Sequence, residues 1–408
     1  MKVLYVSYDG MTDALGRSQV IPYLVGLSAK GHTIHIISCE KKQIPREETL
    51  EVEQILKENN ISWSPLSFST RPPWISKVLD VLKIKQLSRK LHRKEKFDVV
   101  HCRSYIAALA GLDLKLRHNV KFVFDMRGFW ANERIEGDMW NLNNPIYEYI
   151  YNYFKGKEKE FFTHADAVVS LTHNGKGVIK ELFGQEIAAK TTVIPCCVDT
   201  RFFSRDNVDV EKGLALKSEL GIQQDDFIIS YLGSTGTWYM TDEMLLFYKK
   251  LKARFANARF LFISGDHPDF IMKKARLHGI DESDIIVARA PRKLVPLYLS
   301  LSAVSIFFIR PVFSKRASSP TKQAEIMSMG LPLICNTGVG DTDMLFSDEK
   351  AGLVLKDFSE EQFNLAIERM ETVLKLSPTE IRQKAVTIFN LDDGVNQYDS
   401  IYKSITRG

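Results

Sequence analysis

Cysteine is scarce in this chain and follows no pairing pattern. Five occur, at Cys39, Cys102, Cys196, Cys197 and Cys335, with no C-x-x-C spacing. An odd, scattered set argues against a disulfide framework or a structural zinc site and fits a reducing compartment. No apolar run reaches the roughly 18 residues of a membrane-spanning helix. The first residues run directly into the strand-like Lys2–Tyr8, which leaves no room for a leader pattern. A cytoplasmic protein is expected, or one lying at the cytosolic face of a membrane. Charge of one sign is also lacking: the net value is +5 over 408 residues. So mild a balance does not point to nucleic acid, and no nucleic-acid partner is expected. The first loop is not G-x-G-x-x-G, so a dinucleotide fingerprint is absent and no cofactor is indicated.

What is present is an ordinary globular composition, 45% hydrophobic and 26% charged. The length suits two or more domains at about 150 residues each. Short β-rich runs alternate with helical patterns, the sign of parallel α/β sheets. The first half supplies Val3–Tyr8, Thr33–Ser38, Val99–Cys102, Phe122–Asp125, Ala167–Leu171 and Thr192–Ile194. The pattern restarts with Phe227–Leu232, Phe260–Ser264, Ile285–Val287, Val304–Phe308 and Leu333–Cys335. This predicts two Rossmann-like, doubly wound domains, residues 1–198 and 199–385. A C-terminal helix, 386–408, is expected to return to the first. Such sheets bind ligands beyond the carboxyl ends of their strands, here at a cleft where the two domains face each other.

Ile75–Lys96 departs from this background. Lys77, Lys83, Lys85, Arg89, Lys90, Arg93, Lys94 and Lys96 stand against only Asp80 and Glu95, with Trp74 just ahead after Pro72 and Pro73. Apolar residues recur near helical spacing. Two readings stay open: a surface helix with a solvated basic face, or peripheral contact with an anionic membrane.

The most telling stretch is Ser318-Ser319-Pro320-Thr321-Lys322-Gln323-Ala324-Glu325, ending at Gly330 and Pro332. It reads as a helix opened by Ser/Thr capping and stopped by Gly330. Lys322 and Glu325 fall one turn apart on one face. A helix N-terminus carrying a lysine suits a phosphate, and a carboxylate one turn deeper can accept from sugar hydroxyls. Other loops point the same way. In Asp9–Val20, Gly10 and Gly16 allow close backbone approach, Ser18 is placed to cap a helix, and Arg17 can neutralise a leaving diphosphate. Two strand ends carry His101 with Arg103, and Asp125 with Arg127. His101 can bond a sugar hydroxyl or move a proton, Arg127 can bind phosphate, and Arg103 and Asp125 can meet an acceptor. Gly233 and Ser234 open a small-residue turn, Arg289 suits a nucleotide base, and Asn336–Asp341, with Gly340, can close over a donor.

Taken with Val193–Pro195, Val198–Thr200, Phe203 and Ser264–Asp266, these motifs resemble the retaining glycosyltransferases of family 4 (group 1), in a Ser-Pro-Thr-Lys subgroup. The resemblance spans nearly the whole chain and implies the GT-B fold. It implies a nucleotide-diphosphate sugar as donor substrate, bound by the second domain. A glycan or lipid-linked acceptor would bind to the first, in bacterial surface polysaccharide biosynthesis. By position, Glu325 matches the carboxylate that holds the donor ribose, and Ser319, Thr321 and Lys322 match the phosphate end of that helix. Gly16 matches the glycine near the diphosphate, and His101 approximates the histidine near the transferred sugar. Two departures stand out. Ala317 occupies the place of a second glutamate, and Ser234–Tyr239 lacks the arginine and lysine usual there. Arg17, Arg127, Arg310 and Lys322 remain as cations for the diphosphate, and no metal is called for. No paired carboxylates suggest a double displacement. An inactive GT-B-like binding subunit and a nucleotide-sugar epimerase stay open as alternatives.

Overall fold

β-branched and aromatic runs bounded by glycine and polar turns form strands in both halves of the chain. The computed structural model describes residues 1–41, 44–69 and 73–407, without the side chains of residues 73–75. Pro72 and the side chains of Pro73 and Trp74, singled out in the sequence, lie outside that description.

The strands are β1 Lys2–Ser7, β2 Thr33–Glu40, β3 Ser62–Ser67, β4 Val99–Arg103, β5 Lys121–Asp125, β6 Ala167–Ser170 and β7 Thr191–Val193. They form one parallel sheet in the order β3-β2-β1-β4-β5-β6-β7. A second parallel sheet takes β8 Phe227–Leu232, β9 Ala258–Ile263, β10 Ile285–Ala288, β11 Val304–Ile306, β12 Leu333–Asn336 and β13 Gly352–Leu355, in the order β10-β9-β8-β11-β12-β13. Each order reverses beside its first strand, as in a doubly wound sheet. The two sheets belong to separate compact units. Met1–Cys197 joins Leu391–Gly408 in the first, and Val198–Asn390 makes the second.

Two strands went unpredicted. β3 is the edge strand of its sheet, rich in serine, interrupted by Pro65 and nowhere fully buried, so it carries little apolar signal. β13 is a four-residue edge strand opening on Gly352.

The last helix, Leu391–Thr406, packs on Ile21–Ala29 in the first unit, with Val395 against Gly26. Its inward face carries Tyr398 and Tyr402, both buried. The basic segment forms one helix, Pro73–Glu95. Among the described residues no helix is long and apolar enough to cross a membrane.

Candidate functional site

In the second unit the Thr321–Ser328 helix starts without a side-chain cap, because Pro320 takes the cap position. The expected Ser/Thr capping is thus corrected: proline's fixed φ ends the extended segment in its place. Pro320 brings no capping side chain, and Gln323 N donates to the Pro320 carbonyl at 3.0 Å; a helix start of this kind suits an anion.

Lys322 turns inward from the second helical position. Its ammonium donates to Tyr231 Oη at 2.8 Å and lies 3.6 Å from the centre of the Tyr239 ring and 4.1 Å from that of Tyr231. Tyr231 in turn donates to the Ser234 carbonyl. Gly233 adopts a left-handed φ of 110°, and a Cβ there would stand 3.0 Å from Lys322 Nζ. The groups holding this charge are neutral: one phenol oxygen and two aromatic faces. Burial pushes the ammonium well below the ordinary lysine range, against the pull of Glu325 and Asp266. Asp266, past the end of β9, braces the turn by accepting from Thr235 Oγ1 at 2.6 Å.

Glu325, one turn deeper, is buried and accepts from Arg292 at 2.8 Å through Oε1. Burial raises its pKa, and Arg292 opposes that rise. The second oxygen remains able to accept from a ligand hydroxyl. Arg292 also lies over the Phe203 ring. It was missed in the sequence, where Arg289, three residues earlier, was chosen; the structure leaves Arg289 exposed beyond β10. Lys315 was missed too. Its ammonium rests 3.7 Å from the Trp238 ring centre, and its carbonyl accepts from Gly340 N at 2.8 Å. Ser319 and Thr321 are half-buried at the helix start, and the Arg310 side chain is exposed after β11. Ala317 is fully buried at the end of the short Phe313–Ala317 turn. Lys322, Gly233, Ser234 and Glu325 therefore converge, with Gly340 joined to Lys315 nearby.

The first unit treats its candidates differently. The Asp9–Val20 loop is stapled by Glu40, which accepts from Met11 N at 2.8 Å and Thr12 Oγ1 at 2.5 Å. Gly16 packs so tightly that a Cβ would stand 2.2 Å from the Gly10 carbonyl. Ser18 does not cap: it lies inside the Ala14–Gln19 helix and donates to Ala14 O. Arg17 is already paired, with Glu51 at 2.6 Å.

His101 lies in mid-strand rather than at a carboxyl end, because β4 continues to Arg103. It is buried, with Nδ1 2.6 Å from Tyr402 Oη and Nε2 3.5 Å from Asp125. Burial lowers its pKa, against the opposing pull of Asp125. Asp125, also buried, accepts from Tyr398 Oη at 3.2 Å and lies 3.7 Å from Arg127. Burial alone would raise its pKa, but Arg127, His101 and Arg103 together hold it below the carboxylate range. Arg127 has φ 57° and donates to Cys196 Sγ at 3.2 Å. A left-handed arginine costs about 1–2 kcal/mol, strain of the kind that collects at functional sites. Arg103 is buried 3.6 Å from Asp9. His101 and Asp125 are packed beneath the C-terminal helix, and Arg103 is buried. The signal, Tyr398 and Tyr402, stood some 270 to 300 residues away in sequence.

Two family models match the chain, Glycosyltransferase Family 4 over residues 23–202 and Glycosyl transferases group 1 over residues 215–384. No curated protein matches it in sequence. Among solved structures it resembles a glycosyltransferase from Rickettsia africae (17% identity, TM-score 0.69, covering 99% of this chain and 98% of that one). It also resembles sucrose-phosphate synthase from Thermosynechococcus elongatus (14%, 0.73, 99% and 98%). A third is HepE from Anabaena, solved with UDP and glucose (12%, 0.70, 99% and 100%). These likenesses establish the GT-B fold.

Proposed function

Because the chain belongs to the glycosyltransferases that join a family 4 region to a group 1 region, we propose that it moves a sugar from a nucleotide-diphosphate donor to a glycan or lipid-linked acceptor. The reaction proceeds with retention of anomeric configuration and serves bacterial surface polysaccharide biosynthesis. The observation that carries this reading is the buried Lys322 ammonium, whose direct contacts are a phenol and two aromatic rings, beside Gly233 and a helix start where Pro320 supplies no capping side chain. An enclosed cation with no carboxylate in direct contact, Glu325 and Asp266 acting on it from farther off, is suited to a diphosphate.

Lys322 and the first-turn N–H groups hold the donor diphosphate and stabilise the negative charge that grows on it as the glycosidic bond breaks. Gly233 and Ser234 let the phosphates approach the backbone. Glu325 accepts from the ribose hydroxyls through the oxygen that Arg292 leaves open, and Arg292 fixes the carboxylate's orientation. The acceptor hydroxyl attacks C1 from the face the diphosphate leaves. The C1–O(phosphate) bond breaks, the new C1–O bond forms, and the hydroxyl proton passes to a donor phosphate oxygen. In the first unit Arg127 takes the acceptor-side role, positioned by Asp125, His101 and Tyr398.

The likeness to a protein solved with UDP and glucose makes uridine donors the first to try. Incubation with UDP-, GDP- and dTDP-sugars should give slow donor hydrolysis or transfer. Inversion at C2 would favour an epimerase, and binding without turnover an inactive subunit. Glu325→Ala should weaken donor binding about 10- to 100-fold, the worth of a charged hydrogen bond with its partner left unpaired. Unchanged affinity by calorimetry would sink the site.

A further inference from the structure

The turn after β8 carries aromatics where the resemblance leads one to look for basic residues. Ser234–Tyr239 has no arginine or lysine and offers Trp238 and Tyr239 side by side. Each ring holds a lysine drawn from elsewhere in the second unit. Lys315 Nζ rests 3.7 Å from the Trp238 ring centre, and Lys322 Nζ 3.6 Å from that of Tyr239. Both lysines are buried.

The rings are fixed because their backbone is. Tyr239 forms an antiparallel bridge with Ile309, in which Arg310 N donates to the Trp238 carbonyl and Met240 N to that of Phe308, both at 3.0 Å. Ile309 is itself gripped by Asn336, whose side-chain amide accepts from Ile309 N at 2.8 Å and donates to its carbonyl at 2.9 Å. Asn336 ends β12, so the platform is tied through to the sheet. A lysine is a point charge on a flexible stem, and a ring face steadies it while leaving its charge in place. A carboxylate at the same spot would steady it and also cancel much of what it offers an anion.

Lys315 stands ahead of the Thr321–Ser328 helix, in the Phe313–Ala317 turn that leads into it. Its carbonyl accepts from Ser318 N at 3.1 Å and from Gly340 N at 2.8 Å. These bonds tie the turn to the approach of the helix and to the loop after β12. Along this path Glu325 lies deepest, Lys322 one turn nearer the helix start, and Lys315 before it. A donor with its ribose at Glu325 would bring its first phosphate to Lys322 and its second toward Lys315.

We propose that Lys315 is a second donor-binding cation, holding the phosphate that carries the sugar, and that Trp238 is the residue that positions it. Lys322, steadied by Tyr239, takes the phosphate nearer the nucleoside. Two lysines on aromatic platforms thus supply, from a different element, the charge that the Ser234–Tyr239 turn lacks. As the bond from C1 to the phosphate oxygen breaks, its electron pair stays on that second phosphate, where Lys315 stabilises it. This deepens the transfer reading and rests on its placement of the ribose at Glu325.

The test is calorimetry on the full chain with whichever of UDP, GDP and dTDP binds best, its monophosphate, and inorganic pyrophosphate. Lys315→Met keeps the stem on the Trp238 ring and removes the charge. It should weaken the diphosphate about 10- to 100-fold, the worth of a charged hydrogen bond, and leave the monophosphate unchanged. Lys322→Met should weaken both. Lys315→Arg should recover most of the loss, which separates charge from folding. Trp238→Leu should cost the diphosphate about three- to tenfold, with recovery in Trp238→Phe. Because Trp238 acts through Lys315, Trp238→Leu should add nothing to Lys315→Met. Unchanged diphosphate affinity in Lys315→Met overturns the proposal, as does equal loss of diphosphate and monophosphate, or no recovery in Lys315→Arg. A wild type that binds pyrophosphate through Lys315 but no nucleotide strikes the transfer reading and leaves the diphosphate role of Lys315 standing. A wild type that binds neither overturns both.

Discussion

Each unit gathers charged groups at the carboxyl ends of its sheet, and the two gatherings are built on opposite plans. In the first, charge meets charge: Asp125 lies among Arg127, His101 and Tyr398, under a helix supplied by the end of the chain. In the second, Lys322 meets two aromatic faces and a phenol. A network balanced within the protein makes structure. A buried cation whose direct contacts are neutral leaves room for a ligand anion, which the proposed transfer would supply.

The strongest way to break this contrast is Asp125→Asn. It leaves Arg127 buried without its anion and should destabilise the first unit by about 3–5 kcal/mol. Urea unfolding measures this. A loss below about 1 kcal/mol would mean that Asp125 is not the keystone. Lys322→Met should do the reverse in the second unit. Donor affinity should fall about 100-fold, close to 2.7 kcal/mol, while thermal stability holds or rises, since a costly buried charge has gone. A drop in stability comparable to that of Asp125→Asn would erase the distinction between the units.

The smallest effect is in pH. Burial lowers the Lys322 pKa in the free protein, and a bound diphosphate would raise it again. Donor binding then favours the protonated lysine. Affinity should be flat below the depressed value and fall by up to about tenfold per pH unit above it, until the bound value is reached. Calorimetry across that range in buffers of different ionisation enthalpy would also register proton uptake. In Lys322→Met this slope should vanish.

The sequence made much of this legible, for local reasons. Buried strands announce themselves as Val/Ile/Phe runs, and the Ser318–Ile334 stretch carries its helix start, its stop and its two charges within a few turns. What it hid was relational. The half-exposed edge strand β3 has no apolar run to read. Tyr231 and Tyr239 look like ordinary aromatics until β8 and the Thr321–Ser328 helix bring them around Lys322. Arg292 gains meaning from Glu325, 33 positions later. His101 reads as a strand-end group because nothing near it in sequence predicts Tyr402 at 2.6 Å.

That last contact bears on the order in which the protein is made. The first unit includes Met1–Cys197 and Leu391–Gly408, so its second piece leaves the ribosome after the whole of the second unit. The second unit, Val198–Asn390, is continuous and complete before that piece appears. Domains usually mature from the N-terminus onward. Here the first unit waits for the second, holding His101 and Asp125 without Tyr398 and Tyr402 until residues 391–406 have been made. Arg127, two residues past β5, thus has its Asp125 partner fully supported only once Tyr398 has folded back onto the sheet.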